Sequence, residues 1–274
     1  MKKQRAFERI VAGIFLILGM ITVVSVLLIT IYLVIAGVPA IRKIGLISFL
    51  FGKEWHSTAA TPEFGILPFI LTSIYGTVCA VILGAPIGFL TAVFLSKIAP
   101  YNLRRAVETA VSLLAGIPSV VYGLVGMLIL VPAIRNIFHI PDGASLLAAI
   151  VVLAIMVLPS IIKVSLNALD AVPKEYEEAS LALGATPVET YFKVSVPAAK
   201  SGIAAAIVLG VGRAIGEAMA VMMVSGNVPN MPSLFQSVRF LTTAVASEMS
   251  YSSGLQRQAL FSIALVLFFF IMLI

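Results

Sequence analysis

Six times in 274 residues this chain runs apolar for roughly the length of a bilayer-spanning helix. Crossing the hydrocarbon core takes about 20 predominantly apolar residues. The windows that qualify are 10–36, 66–96, 107–131, 144–162, 201–226 and 258–274. None alternates apolar and polar with period two, which excludes a transmembrane β-barrel. The expected fold class is therefore all-α, a polytopic membrane protein with six transmembrane helices. Charged residues make up only 11% of the chain and apolar ones 61%, whereas soluble domains carry about 25% charged residues. One soluble core could not hide that much apolar surface. A soluble enzyme, a secreted disulfide scaffold and a disordered chain are all excluded.

The excess of basic residues, +6 at neutral pH, orients a membrane protein and does not imply nucleic acid, because cytoplasmic loops collect Lys and Arg. With the N-terminus inside, Lys2, Lys3, Arg5, Arg9, Lys97, Arg104, Arg105, Lys163, Lys174, Lys193 and Lys200 are cytoplasmic. Only Arg42, Lys43, Lys53, Arg135, Arg239 and Arg257 fall outside, so both termini are expected in the cytoplasm. The first run is too long for the apolar part of a signal peptide and reads as an uncleaved span. Residues 233–249, with Arg239 and Glu248, read as an amphipathic interfacial or re-entrant helix on the outer side. The last run stops at Ile274 without a polar flank, as in a chain that ends prematurely. A single Cys79 allows no intrachain disulfide, and His56 and His139 sit in separate loops, so no metal site is expected.

The longest cytoplasmic stretch, 163–200, holds Asp170, Glu175, Glu177, Glu178 and Glu189. Pro173 followed by acids suits a helix start, and Gly184 suits the left-handed turn that ends it. Thr186-Pro187-Val188-Glu189 then reads as a capping box opening a second helix, with Pro197 near its end. Tyr176, Ala179, Leu181, Leu183, Tyr191 and Phe192 would be left exposed on a bare loop. An apolar patch of that kind marks a protein partner.

Here a resemblance becomes specific. Glu178-Ala179-Ser180, three residues, Gly184, nine residues, and then Val194-Ser195-Val196-Pro197 resemble the "EAA" loop of ATP-binding-cassette importer permeases. The spacing of that signature is kept, with Ser180, Val194 and Val196 as mild departures. The resemblance implies the type I importer permease fold and a hairpin that docks a separate ATPase through Glu178, Ala179, Ser180, Gly184 and Pro197. No G-x-x-x-x-G-K-[S/T] occurs, so this chain has no phosphate-cradling loop of its own for ATP. Gly212 and Gly216, like Gly84 and Gly88, read as small-residue faces for close helix packing.

Arg213 and Glu217 lie near the middle of the fifth window, four residues apart and hence on one face of an unbroken helix. A charge at a helix centre costs about 2.5–3.5 kcal/mol on insertion scales. Such a pair is either a structural ion pair or part of a polar path. Arginine before glutamate is the weaker order for an intrahelical pair, which leaves either residue free to face a cavity. A guanidinium there suits a small oxyanion. The carboxylate beside it suits an anion that carries its own hydroxyl proton, as phosphate does near neutral pH and sulfate does not. In the third window, Pro118 frees a backbone carbonyl and kinks the helix, and Ser119 and Tyr122 add hydroxyls beside it, for packing or for lining a path.

Residues 114–123, 212–221, the outer loop Phe49-Leu50-Phe51-Gly52-Lys53-Glu54-Trp55, Tyr75-Gly76-Thr77 and Ala85-Pro86-Ile87-Gly88 together resemble the C-type permease subunits of phosphate-specific transport (Pst) systems. The resemblance implies one permease domain over 1–274, with the coupling hairpin within 163–200 and outer loops at 37–65 and 227–257. It implies half of a phosphate path, completed by a sister A-type permease subunit and driven by a cytoplasmic ATPase dimer. An extracytoplasmic phosphate-binding protein would deliver the substrate. This chain would bind no cofactor, ATP and magnesium belonging to the ATPase, and would sit as a multi-pass protein in a bacterial or archaeal cell membrane. Three other readings stay open: an importer of sulfate, molybdate or phosphonate, a membrane phosphate sensor, and a membrane-embedded enzyme. The last lacks a nucleophile or metal constellation at membrane depth.

Overall fold

A computed structural model describes residues 2–273, with side chains described from residue 11 onward. The expected placement of Lys2, Lys3, Arg5 and Arg9, and of Ile274, lies outside what is described. The chain is helical almost throughout. Helix α1 (Lys2–Ile44) turns through Gly45 into the short α2 (Leu46–Phe51), followed by a two-stranded hairpin, β1 (Trp55–His56) and β2 (Glu63–Phe64). Helices α3 (Leu67–Lys97) and α4 (Tyr101–Gly116) come next. One long helix then runs from Ser119 to Phe138 as α5 (Ser119–Val125), a π-turn (Gly126–Leu130) and α6 (Val131–Phe138). Helix α7 (Leu146–Asp170) leads to the hairpin α8 (Lys174–Ala182), α9 (Pro187–Thr190), a second π-turn (Tyr191–Ser195) and α10 (Val196–Ala198). The chain closes through α11 (Lys200–Gly216), α12 (Met219–Val224), α13 (Leu241–Glu248) and α14 (Gly254–Leu273).

Among the described residues, five helices are long and apolar enough to cross a bilayer: Val11–Ile44, Leu67–Lys97, Ser119–Phe138, Leu146–Asp170 and Gly254–Leu273. The fifth expected window falls on α11, which at 17 residues qualifies only together with the hairpin segment before it, from which it is bent by 72°. Five of the six expected spans are present as single helices, and two boundaries differ in an instructive way. The third span is not 107–131. Proline at 118 stops the helix, so α4 is a separate amphipathic helix carrying Arg104, Arg105 and Glu108, and the crossing begins at Ser119. The last helix starts at Gly254, four residues earlier than its apolar run, which gives it 20 residues.

Three cores stack along the bundle. In the middle, α7 lies against α3 and α12 through Leu153, Met156, Val157, Ile161, Ala220 and Val221. Gly84 and Gly88 permit that contact, since a Cβ on Gly84 would come within 2.7 Å of the Val157 side chain and one on Gly88 within 2.9 Å of Ile161. The small-residue reading thus holds for this pair. It does not hold within the chain for Gly212 and Gly216, which face open space while Gly210 makes the approach to Ile161.

At the hairpin end, Leu95, Val111, Leu169, Val172 and Ala199 form a second core. Polar links brace it: Ser96 donates to Asp170 (2.6 Å), Arg104 pairs with Asp170, and the Arg104 Nε donates to Glu108 (2.6 Å). At the opposite end, Phe49, Trp55, Ile66, Phe69, Leu241 and Leu260 make a third core. Above it, Glu248 accepts from Trp55 Nε1 (3.3 Å), Gln256 (3.1 Å) and Arg239 (2.5 Å), while Arg239 also donates to the Asn227 carbonyl (2.9 Å) and sits over the Phe69 ring.

The stretch 233–249 is not one amphipathic helix. Only Leu241–Glu248 is helical, and its first turn is buried. The preceding residues are spent on the start of α7, where the Leu234 and Gln236 carbonyls accept from the amides of Leu147 and Leu146. Those are N–H groups that a helix cannot satisfy internally.

Candidate functional site: two helix breaks and an arginine

The chain breaks helix in two places, before the third span and at the end of α11, and the helices that follow the two breaks pack together. The first falls at Ile117-Pro118, where both residues are extended and α4 gives way to α5. The Tyr122 hydroxyl donates to the Leu114 carbonyl across this gap at 2.8 Å, and the same carbonyl accepts from the Ile117 amide at 3.2 Å. Ser119 opens α5 half-buried. The second falls at Glu217-Ala218, where α11 ends and α12 begins. Gly123 of α5 brings the two broken helices together, since a Cβ there would meet the Ala220 backbone at 2.8 Å.

This second break overturns the expectation that Arg213 and Glu217 share one helix face. Glu217 has extended backbone (φ −72, ψ 130), so the helical relation between the two ends at Gly216. Tertiary bonds hold the break open. The Glu217 carboxylate accepts from the Ala220 amide (3.0 Å) at the start of α12, and its carbonyl accepts from Thr242 Oγ1 (2.7 Å) on α13. Helix ends need such outside partners, and here one residue supplies both a donor's acceptor and an acceptor's anchor.

Arg213 is the last-turn residue of α11 and is half-buried. Its Nη1 donates to Ser160 Oγ on α7 at 3.3 Å, and among the described residues no carboxylate lies within ion-pair distance of it. It lines a cavity of about 480 Å³ with Ser160, Val208, Leu209, Gly212 and Ile271, and the Tyr122 phenol is within its electrostatic reach. Ser160 was not singled out from the sequence. The signal was present, because Pro159-Ser160 repeats within an apolar run the dipeptide Pro118-Ser119.

On the hairpin the expected local signals are all found. Gly184 has φ +88, a left-handed turn that glycine takes without strain. Thr186 and Glu189 form the reciprocal capping box, with Glu189 N–H to Thr186 Oγ1 at 3.3 Å and Thr186 N–H to Glu189 Oε2 at 3.1 Å. The Thr186 amide, then Lys193, then the Thr186 hydroxyl hold the Glu189 carboxyl below the ordinary glutamate range. Ser180 and Thr190 hydroxyls meet at 2.9 Å and tie α8 to α9. Glu178, Ala179, Gly184 and Pro197 are exposed, as are Tyr176, Leu181, Val188, Phe192 and above all Leu183 at 90%. Tyr191 departs from expectation in being half-buried.

The chain is thus a polytopic, all-helical membrane protein with an arginine on a cavity between its helices and an exposed apolar hairpin at one end. The chain belongs to the binding-protein-dependent transport system inner membrane component family, which matches residues 84–274. It is 39% identical over 265 residues to the probable ABC transporter permease protein YqgH of Bacillus subtilis, covering 93% of this chain and 86% of that one. It is 37% identical over 243 residues to the phosphate transport system permease protein PstC of Pasteurella multocida, covering 81% and 75%. The Haemophilus influenzae PstC is 34% identical over 260 residues, covering 88% and 82%. Among solved structures, a chain from the inward-facing MetNI methionine ABC transporter superposes with a TM-score of 0.60 at 23% identity, covering 76% of this chain and 90% of that one. This likeness carries the fold, a type I importer permease.

Proposed function

We propose that this chain is one permease half of an ATP-driven phosphate importer, with Arg213 as the phosphate-binding cation of the path. The observation that carries the reading is Arg213 itself, an arginine in an apolar helical bundle with one serine partner, opening on a cavity. An intramembrane arginine must face protein or water, since lipid offers its donors nothing. The N-terminal amides of the helix that starts at Ser119 add a positive dipole end to the same region. The similarity to permeases named for phosphate transport narrows the anion to phosphate. Glu217, with one carboxylate oxygen on the Ala220 amide, has its other oxygen to accept a P–OH hydrogen bond. Ser119 and Tyr122 complete the wall of the path.

In this reading a sister A-type permease subunit covers the open side of α11, where Gly212 and Gly216 leave room for close approach. An ATPase dimer, holding ATP and magnesium, docks on Glu178, Ala179, Ser180, Gly184 and Pro197. An extracytoplasmic binding protein delivers phosphate to the opposite end, both termini are cytoplasmic, and the membrane is the inner membrane of a prokaryotic cell. The test is ATP-dependent uptake of labelled phosphate by the full complex in proteoliposomes, with sulfate as control and Arg213→Gln in parallel. Selective uptake lost in the variant is the expected result. Uptake kept in an assembled variant would reduce Arg213 to a structural role. No phosphate uptake by a complex with active ATPase would sink the substrate and return other oxyanions to the front.

A further inference from the structure

One ion pair is buried where the hairpin meets the bundle. Lys97, the last residue of α3, reaches Glu177 of α8 at 2.5 Å, with the two side chains only 10% and 21% exposed. The same Glu177 oxygen accepts from Ser195 Oγ (2.9 Å) in the second π-turn, and Lys97 Nζ also donates to the Leu169 carbonyl (3.3 Å) near the end of α7. Four parts of the chain therefore converge on two side chains: the ends of the second and fourth spans and both halves of the hairpin.

Desolvating two charges is costly, and an apolar pair of equal volume would hold the same place as well or better. What an ion pair adds over apolar packing is a fixed geometry. The direct covalent route from the hairpin to the fifth span, by contrast, is mechanically soft. It passes through a π-turn, a three-residue helix and the 72° bend at Ala199.

We propose that Lys97 and Glu177 form the joint through which a displacement of the hairpin is delivered to the second and fourth spans, which makes them positioning residues for transport. This rests on reading α8–α10 as the ATPase-docking hairpin. Movement of α8 drags the end of α3 with it through Lys97, and the Lys97 bond to Leu169 carries α7 along. Because α7 holds Ser160 against Arg213, the joint reaches the substrate path without passing through the bend.

The experiment measures phosphate moved per ATP hydrolysed by the full complex in proteoliposomes, for Lys97→Met, Glu177→Gln and the exchange Lys97→Glu with Glu177→Lys. Each single variant is expected to keep its ATPase rate while the ratio falls about fivefold or more, the size of an ordinary coupling energy. The exchange is expected to restore part of it. A pair that served only stability would lower the yield of complex and leave the ratio alone, and an unchanged ratio in assembled single variants overturns the proposal. Should those variants fail to assemble, Ser195→Ala removes one bond and is expected to lower the same ratio by a smaller factor.

A second arm needs no substrate. Spin labels at Lys174→Cys and Ile98→Cys, in a Cys79→Ser background, report the distance from hairpin to second span with and without nucleotide. It is expected to stay constant in the otherwise native complex and to spread with Lys97→Met. A native distance that changes with nucleotide overturns the joint. A constant distance in a complex that takes up no phosphate leaves the joint standing and removes the substrate reading alone.

Discussion

Two arginines, Arg213 and Arg239, sit in this bundle with opposite fates. Arg239, at the end away from the hairpin, has its charge paired: it donates to Glu248 and to the Asn227 carbonyl and covers the Phe69 ring, and it ties the outer loop to α13. Arg213 has five N–H donors like any arginine and spends one on Ser160. The first is in use as structure. The second is held in place and left open, in surroundings where an idle charge is expensive. Charge alone does not mark a binding residue; unspent hydrogen-bonding capacity at depth does.

The sharpest way to break this contrast is to exchange the roles. Arg213→Gln is expected to cut phosphate uptake about 100-fold, the scale of a lost charge-assisted pair of roughly 3 kcal/mol, with assembly and thermal stability unchanged. Glu248→Gln attacks the paired arginine instead. It leaves a nearly buried guanidinium short of its counter-charge and is expected to cost about 2 kcal/mol of stability in a thermal melt, while each assembled complex transports at close to the native rate. Loss of transport without loss of stability there would erase the distinction between the two sites.

A finer test concerns selectivity. Glu217→Gln keeps an acceptor for the Ala220 amide but weakens discrimination by protonation, and the phosphate-over-sulfate ratio is expected to drop about tenfold, near 1.4 kcal/mol. An unchanged ratio would make Glu217 a helix cap only. The smallest expected effect lies on the exposed hairpin. The Glu189 carboxyl is held below its ordinary range, so its contribution is complete above that range and is lost as pH falls through the depressed value. Protection of the α9 amides against hydrogen exchange, taken relative to each amide's intrinsic rate, should fall at that acidic end in the native chain, and Thr186→Ala should weaken that pH dependence.

How much of this was legible in the sequence follows from how local each cause is. The crossings could be read because the bilayer sets their length. The hairpin's glycine turn and capping box could be read because Gly184 and the Thr186–Glu189 pair act within one turn of chain. The break at Glu217 could not, since its partners are the Ala220 amide and a Thr242 hydroxyl that arrives from 25 residues away. Apolar periodicity simply continues through it. Pro118 announced a kink but not a full separation of α4 from the third span, although Glu108 inside the apolar window was a usable warning. The Lys97–Glu177 pair spans 80 residues and leaves no local trace.

Helix α1 bears on how the protein is made. From residue 11 its most apolar stretch is bare of neighbours, and its main companion is α14, with Ser262 donating to the Gly37 carbonyl at 2.6 Å and Tyr32 set edge-on to Phe261. Those partners are separated by 225 residues of translation. At about 5–20 residues per second a ribosome takes roughly 11–45 s to cover that distance. For all that time α1 waits in the lipid without the helix it packs against, and the pair closes only when α14 arrives.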